Sequence, residues 1–340
     1  MKSKNIALSG YYGFENFGDE AILSVITSKL KETGHNVTVF SKNPQKTFAK
    51  LGVNTVYTFD LKNIVTTLKN SDILISGGGS LLQDVTSLKS LFYYLFVIFV
   101  AELFKKDVII FAQGIGPVNN FFGQFLTKIL LKKCKYITVR DEKSLFRLRG
   151  WNLNPDLVSD PVWNLTVQER TPQNRVGIQL RKWKGLSSQY LLVLAQKVNQ
   201  NFSDKEILIY SFQDAIDLSV CKDFEKQLKV VNSSIRTQVV SSMSIDDTVT
   251  SFAQLDYLIA MRYHACLLAL KFGIPTMALS YDEKVEKIAK RFDLPCSMLD
   301  DEDKFEEYFE RMKSLDTFKI KDEVKDCYFD FSKIIEKIES

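Results

Sequence analysis

Short apolar runs alternate with longer stretches of helical periodicity along most of the chain, and this alternation limits the fold more than any other feature. Such runs, separated by helical segments, are the pattern of β-α-β units, whose parallel strands are covered on both faces. In the first half, Asn5–Ser9, Asn36–Phe40, Ile73–Ser76, Val108–Ala112 and Tyr136–Val139 read as strands. Glu20–Thr33, Ser87–Phe104, Phe122–Lys133 and Glu142–Arg149 read as the helices between them. The stretch 166–174 (TVQERTPQN) is polar and contains Pro172, so it reads as a linker. The pattern then restarts, with strands at Val176–Leu180, Ile207–Tyr210, Thr237–Val240, Tyr257–Ala260 and Thr276–Leu279. Ser188–Asn201, Asp217–Lys229 and Asp246–Ala253 are the helices among them. Two such halves, with no detectable sequence repeat, predict an α/β protein of two Rossmann-like lobes facing a cleft. Residues 1–168 form the first lobe, 174–300 the second, and 301–340 a charged helical tail.

A chain of 340 residues has the length for two domains. With 45% hydrophobic and 25% charged residues, the composition excludes disorder, collagen and coiled coil. Lys and Arg number 45 against 41 Asp and Glu, interspersed, for a net charge of +4. That is too mild for a nucleic-acid footprint and suits a protein handling acidic small molecules. The five cysteines are widely spaced, with no C-x-x-C, which argues against a disulfide framework or structural zinc and fits a reducing cytoplasm. Met1–Gly10 holds charges and then a short strand, so it does not read as a signal peptide. Leu91–Phe104 (LFYYLFVIFVAELF) is nearly all apolar, but at about 14 residues it is short of the roughly 20 needed to span a bilayer. It reads as a buried helix or as an exposed apolar face touching a bilayer or a lipid-linked substrate.

In open α/β sheets ligands bind beyond the carboxyl ends of the strands, and the unusual residue clusters fall there. Gly10–Leu23 (GYYGFENFGDEAIL) lacks the G-x-G-x-x-G spacing of a dinucleotide site. Asp19 and Glu20 either cap a helix and complement its dipole or hold a substrate hydroxyl. Ile75–Asp84 (ISGGGSLLQD) carries Gly77, Gly78 and Gly79, which either form an anion-binding nest or permit tight packing. Gln83 and Asp84 fall about one turn into the next helix. Ala112–Pro117 (AQGIGP) is a further glycine turn, and in Thr138–Ser144 (TVRDEKS) Arg140 ends a strand while Asp141 caps a helix. Arg140 either points at the cleft or pairs with a carboxylate.

The segment DYLIAMRYHACLLALKFGIP carries most weight, because Arg262 and His264 stand at a strand-to-helix junction. Free N–H groups there favour an anion, Arg offers a bidentate fork, and His carries a proton near neutral pH. The other histidine, His35, sits in a turn expected to face solvent. Lys284 opens the helix of Ser280–Phe292, and Arg181 ends the strand GIQLR. Arg140, Arg181, Arg262 and Lys284 thus predict a small, multiply charged anion rather than a metal. No H-E-x-x-H, His/Cys cluster, Walker A or G-x-S-x-G motif is present.

Taken in order, GYYGFENFGDEAIL, SGGGSLLQDVTS, AQGIGP, TVRDEKS, MRYHA and SYDEKV resemble the polysaccharide pyruvyl transferase family, and within it the CsaB-type bacterial branch. The likeness runs from about residue 5 to 295, and departs from the family at Tyr263, where leucine is common, and Glu283, where proline is common. The resemblance implies a fold similar to GT-B glycosyltransferases. It also implies transfer of the pyruvyl group of phosphoenolpyruvate (PEP) onto a sugar as a 4,6-ketal, with phosphate release. PEP is then a co-substrate, with no cofactor and no metal. The implied acceptor is N-acetylmannosamine in a lipid-linked cell-wall oligosaccharide, which places the protein in the cytoplasm and raises peripheral contact with the inner membrane leaflet. On this reading Arg140, Arg181, Arg262 and Lys284 bind PEP and His264 carries the proton. Asp19 and Glu20 act on the acceptor, which Tyr12, Gly78, Gly79, Gln83 and Asp84 help to bind. Two other readings fit the same cations: a GT-B nucleotide-sugar glycosyltransferase, and a non-catalytic module binding anionic glycan or another subunit. The latter leaves His264 without a reason.

Overall fold

The computed structural model describes residues 3–299 and 301–340. The chain divides into two compact units, one ending at Leu165 and completed by Tyr328–Ser340, the other Thr166–Cys327.

In the first unit, strand and helix alternate as β1 (Asn5–Ser9), α1 (Phe17–Glu32), β2 (Asn36–Ser41), α2 (Pro44–Leu51), β3 (Asn54–Tyr57) and α3 (Leu61–Asn70). β4 (Ile73–Gly77), α4 (Leu88–Leu103), β5 (Asp107–Gln113), α5 (Phe121–Leu131), β6 (Tyr136–Val139), α6 (Glu142–Gly150) and β7 (Asp156–Leu157) follow. The strands form one parallel sheet in the order β3-β2-β1-β4-β5-β6-β7. β4 is buried along its whole length and β5 along nearly all of it, which is why they read as continuous apolar runs. The edge strand β3 is at most half-buried, and α2 before it buries one residue. So α2 and β3 show too little apolar pattern to be read from sequence, whereas α3 has Leu61, Ile64, Val65 and Leu68 at helical spacing and buries two of them.

In the second unit the order is β8 (Arg175–Gln179), α7 (Ser188–Phe202), β9 (Glu206–Tyr210), α8 (Asp214–Val231), β10 (Thr237–Val240) and α9 (Ile245–Phe252). Then come β11 (Leu255–Ala260), α10 (Tyr263–Phe272), β12 (Thr276–Ser280), α11 (Glu283–Arg291) and β13 (Cys296–Met298). Its parallel sheet runs β10-β9-β8-β11-β12-β13. Both units are therefore Rossmann-like, and each sheet reverses its strand order once, between β1 and β4 and between β8 and β11.

The segment expected to be a tail is shared between the units. α12 (Phe305–Lys313) buries Phe305, Phe309 and Met312 in the second core, and α13 (Thr317–Glu323) follows it. α14 (Ser332–Glu339) and the residues before it belong to the first unit, where the Phe329 and Phe331 rings lie 4.9 and 5.8 Å from that of Phe111. The side chain of Asn164 clamps Phe329, donating to its carbonyl at 2.8 Å and accepting from its N–H at 2.6 Å. Among the described residues, no helix is long and apolar enough to cross a membrane.

Candidate active site

A strand-order reversal opens a crevice at the carboxyl ends of the two diverging strands. In the first unit that position is flanked by the β1–α1 loop and the Gly77–Gly79 turn. The cap of α1 is Asn16, not Asp19: its side chain accepts from the Gly18 N–H at 3.3 Å and its amide donates to Asp19 at 2.7 Å. Glu20 accepts the Gly13 N–H at 2.7 Å, which closes the loop onto the helix. Burial pushes the Glu20 carboxyl above its ordinary range, with the Gly13 N–H opposing.

Gly78 and Gly79 have φ of +49° and +75°, and a Cβ on them would lie 2.4 Å from Ile22 Cγ2 and 2.6 Å from Asp19 Oδ1. The turn thus lets the first turns of α1 press onto β4. Its anion-nest reading loses one donor, because the Gly78 N–H is bonded to the Phe111 carbonyl at 2.9 Å. Tyr12 is buried beside the same turn, its hydroxyl 2.7 Å from where a Gly77 Cβ would be. Its Oη has no hydrogen-bond partner, and burial, then Asp19 and Glu20, push its ionisation far up. Tyr12, Asp19, Glu20, Gly78 and Gly79 therefore gather at one place.

Gln83 and Asp84 are bonded to other partners. They sit in the loop before α4 rather than inside the helix, because Ser87 caps α4 and the helix begins at Leu88. Gln83 bonds to Thr86. Asp84 accepts the N–H groups of Asn119 and Asn120 at 2.7 and 2.6 Å, tying its loop to the start of α5. Burial opposes ionisation there, but these donors prevail and hold the Asp84 carboxyl below its usual range.

Arg140, at the end of β6, donates to Asp160 at 2.6 Å, with both side chains nearly inaccessible. Of its two readings, the carboxylate pair is the one found, though the partner is Asp160 rather than its neighbour. Asp141 caps α6 as expected, accepting from Ser144 at 2.8 Å. Gln113 of the AQGIGP segment donates to the Ser76 carbonyl and hydroxyl, both at 2.9 Å, which joins β5 to β4.

In the second unit Arg181, Arg262 and Tyr281 stand just past the adjacent strands β8, β11 and β12. Arg262 caps α10 and is buried. Its N–H reaches Gln179 Oε1 at 2.8 Å, and its Nε and Nη2 grip the two oxygens of Asp217, each at 2.8 Å. Asp217 is itself fully buried on α8. Its role is not evident from the sequence, although it occupies the apolar stripe of that helix with Val220, Cys221, Phe224 and Leu228. An acid in a core stripe is the one available signal.

Arg181 is in a different state. Its Nη1 donates to the Tyr281 hydroxyl at 3.0 Å, and its guanidinium lies 5.1 Å from the Tyr281 ring and 5.8 Å from that of Trp183. Its Nε is buried without a partner, and no carboxylate pairs with it. Burial, then Asp282, raises the Tyr281 phenol, with Arg181 and Arg262 opposing, so both cations act on this one hydroxyl. His264 is half-buried in the first turn of α10, its ring edge-on to Tyr263 at 5.0 Å. Lys284 is exposed in the first turn of α11, where Asp282 accepts its N–H at 3.0 Å. The expected cation set is therefore split, with Arg140 in the first unit and Arg181, Arg262 and Lys284 in the second.

His35 corrects an expectation. It is buried rather than in solvent, its Nδ1 accepts the Lys4 N–H at 3.4 Å, and burial lowers its proton affinity. Among the described residues, no three His, Cys, Asp or Glu side chains cluster as a metal site would require.

A family model described as polysaccharide pyruvyl transferase matches residues 16–283. The chain belongs to this family. The matched region contains every candidate residue named above except Tyr12 and Lys284, which fall just outside its two ends. No curated protein matches the sequence. Among solved structures, this pyruvyl transferase family member is similar to the UDP-GlcNAc 2-epimerase from Neisseria meningitidis bound to UDP-GlcNAc, at 11% identity and TM-score 0.62, covering 98% of this chain and 99% of that one. The UDP-GlcNAc 2-epimerase from Methanocaldococcus jannaschii is similar at 11% identity and TM-score 0.64, covering 93% and 94%. A glycosyltransferase from Rickettsia africae matches at 11% identity and TM-score 0.62, covering 100% and 98%. At these identities the likeness establishes the fold, the GT-B type with two Rossmann-like lobes.

Proposed function

We propose that this member of the family transfers the pyruvyl group of PEP onto two hydroxyls of a sugar, forming a 4,6-ketal and releasing phosphate. In this reading the acceptor is N-acetylmannosamine of a lipid-linked cell-wall precursor, as in the CsaB-type branch. The observation that carries it is the group of residues at the switch point of the second sheet. There a cation with no counter-ion, Arg181, stands beside an arginine fixed by Asp217, with His264 in the first turn of the next helix. PEP carries a carboxylate and a phosphate on a three-carbon frame, which calls for several cations and a proton carrier.

Arg181 and Lys284 supply positive charge for the two anionic groups, and Arg262 adds its Nη1 edge, since Asp217 engages only Nε and Nη2. His264 gives a proton to the PEP methylene, and a sugar hydroxyl adds to C2 as it loses its own proton. The C2–O bond to phosphate then breaks, phosphate departs, and the second hydroxyl closes the ketal. His264, having given up its proton, takes one hydroxyl proton and the departing phosphate takes the other; Asp19 and Glu20 remain the first unit's candidates for holding an acceptor hydroxyl. Arg140, neutralised by Asp160, acts at most as support for the first-unit loops.

Thermal denaturation with PEP, and separately with a panel of nucleotide sugars, tests this reading. A ligand binding only the folded protein at a hundredfold excess over Kd stabilises it by about 2.7 kcal/mol. The expected result is a shift with PEP that Arg181→Ala and Lys284→Ala each diminish, followed by acceptor-dependent phosphate release. A shift with a nucleotide sugar and none with PEP would point to a glycosyltransferase instead.

A further inference from the structure

Much of the exposed large apolar surface falls on two neighbouring helices of the first unit. On α4, Leu88, Phe92, Phe96, Phe99 and Leu103 recur at spacings of three and four residues, and so line one face. Phe99 is 50% and Leu103 63% exposed, while Phe92 and Phe96 are half-buried. On α5, Phe121, Phe122, Phe125 and Ile129 form a second stripe, from 83% exposed at Phe121 to 37% at Ile129. The two stripes meet where the Phe92 and Phe122 rings lie 6.1 Å apart.

Positive charge completes the face. Lys133 pairs with Glu102 at 3.6 Å, which brings the carboxyl ends of α4 and α5 together. Lys105 and Lys106 follow α4 directly, and Lys128 and Lys132 continue the exposed stripe of α5. None of these four pairs with a carboxylate. Phenylalanines exposed side by side cost solubility unless something covers them. A protein partner of matching chemistry would need acidic groups around an apolar centre, whereas an anionic bilayer offers apolar depth and negative charge over its whole surface.

We propose that the α4–α5 face is a docking surface for an anionic phospholipid bilayer, with the phenylalanines entering the headgroup boundary and the lysines held at the lipid phosphates. This goes beyond the reaction and does not depend on it, although an enzyme with a lipid-linked acceptor would gain from being held at that depth.

The test is co-sedimentation of the whole protein with vesicles of phosphatidylcholine alone and of phosphatidylcholine with phosphatidylglycerol. The native protein should favour the anionic vesicles, with binding that weakens as salt is raised. Phe121→Ser with Phe125→Ser should lower partitioning at least tenfold. Lys105→Glu with Lys132→Glu should remove the preference for phosphatidylglycerol, at about fivefold or more per lysine. All four positions lie on the surface, so unchanged thermal denaturation verifies the fold of each variant. Failure of the native protein to bind anionic vesicles, or equal binding by folded variants, overturns the proposal. So would a dimer in sedimentation velocity that the serine pair converts to monomer, since the face would then join two copies. Vesicle binding needs no turnover, so this result and the PEP experiment fail independently.

Discussion

The two units have the same sheet logic and opposite chemistry at the point where strand order reverses. In the first, glycines at Gly77–Gly79 let α1 approach, and the groups brought together are a buried phenol and the carboxylates Asp19 and Glu20. In the second, the strand ends carry guanidinium groups, one locked to Asp217 and one left with an unpartnered nitrogen among aromatic rings. A common topology thus fixes where such a cluster forms, and the local side chains decide whether it is acidic or cationic. The first site is shaped by removing side chains, and the second by neutralising one charge so that another remains available.

The proposed proton carrier gives the strongest test. His264→Ala should lower turnover about 10²- to 10⁴-fold, the usual worth of a positioned acid or base, while thermal denaturation stays near the native value. Near-normal phosphate release from PEP by the folded variant would take proton transfer away from the second unit. Next is the locked pair. Asp217→Asn leaves Arg262 buried with no opposite charge, so chemical denaturation should show a loss of about 3–5 kcal/mol. A loss under 1 kcal/mol would mean that the pair does not organise this site.

In the first unit, Gly79→Ala combines a positive φ with a Cβ 2.6 Å from Asp19, and should cost about 1–3 kcal/mol and raise the acceptor KM more than the PEP KM. Gly150→Ala, whose Cβ would meet nothing within 4 Å, should change neither. The smallest effect concerns His35. Burial lowers its folded-state proton affinity below the ordinary value of 6.5, so its contribution is complete above pH 6.5 and declines as the pH falls below it. His35→Gln should flatten the acid limb of a stability-against-pH curve by that contribution, and an unchanged curve would contradict this account.

What was legible in the sequence follows from burial. Core strands such as β1 and β6 match their apolar runs residue for residue, because helices cover both sides of them. The edge strands β3, β7 and β13 escaped, being short or half-exposed, and α2 with them, while α3 escaped although its apolar residues have helical spacing. Arg262 and His264 were visible because charge beside an apolar strand is unusual. The partners Asp217, 45 positions away, and Asp160, 20 positions from Arg140, are products of tertiary packing and leave no local pattern. Trp183 and Tyr281 escaped for a similar reason, since an aromatic residue near a strand end reads as core until its cation is located.

The return of Tyr328–Ser340 to the first unit has a consequence for synthesis. A chain emerging from the ribosome ordinarily completes its amino-terminal part first. Here the rings of Phe329 and Phe331, which cover Phe111, leave the ribosome only after all of the second unit has been made. The first unit is therefore begun first and finished last. Until then the Phe111 face lacks its cover, and deleting these residues would damage the beginning of the protein rather than its end.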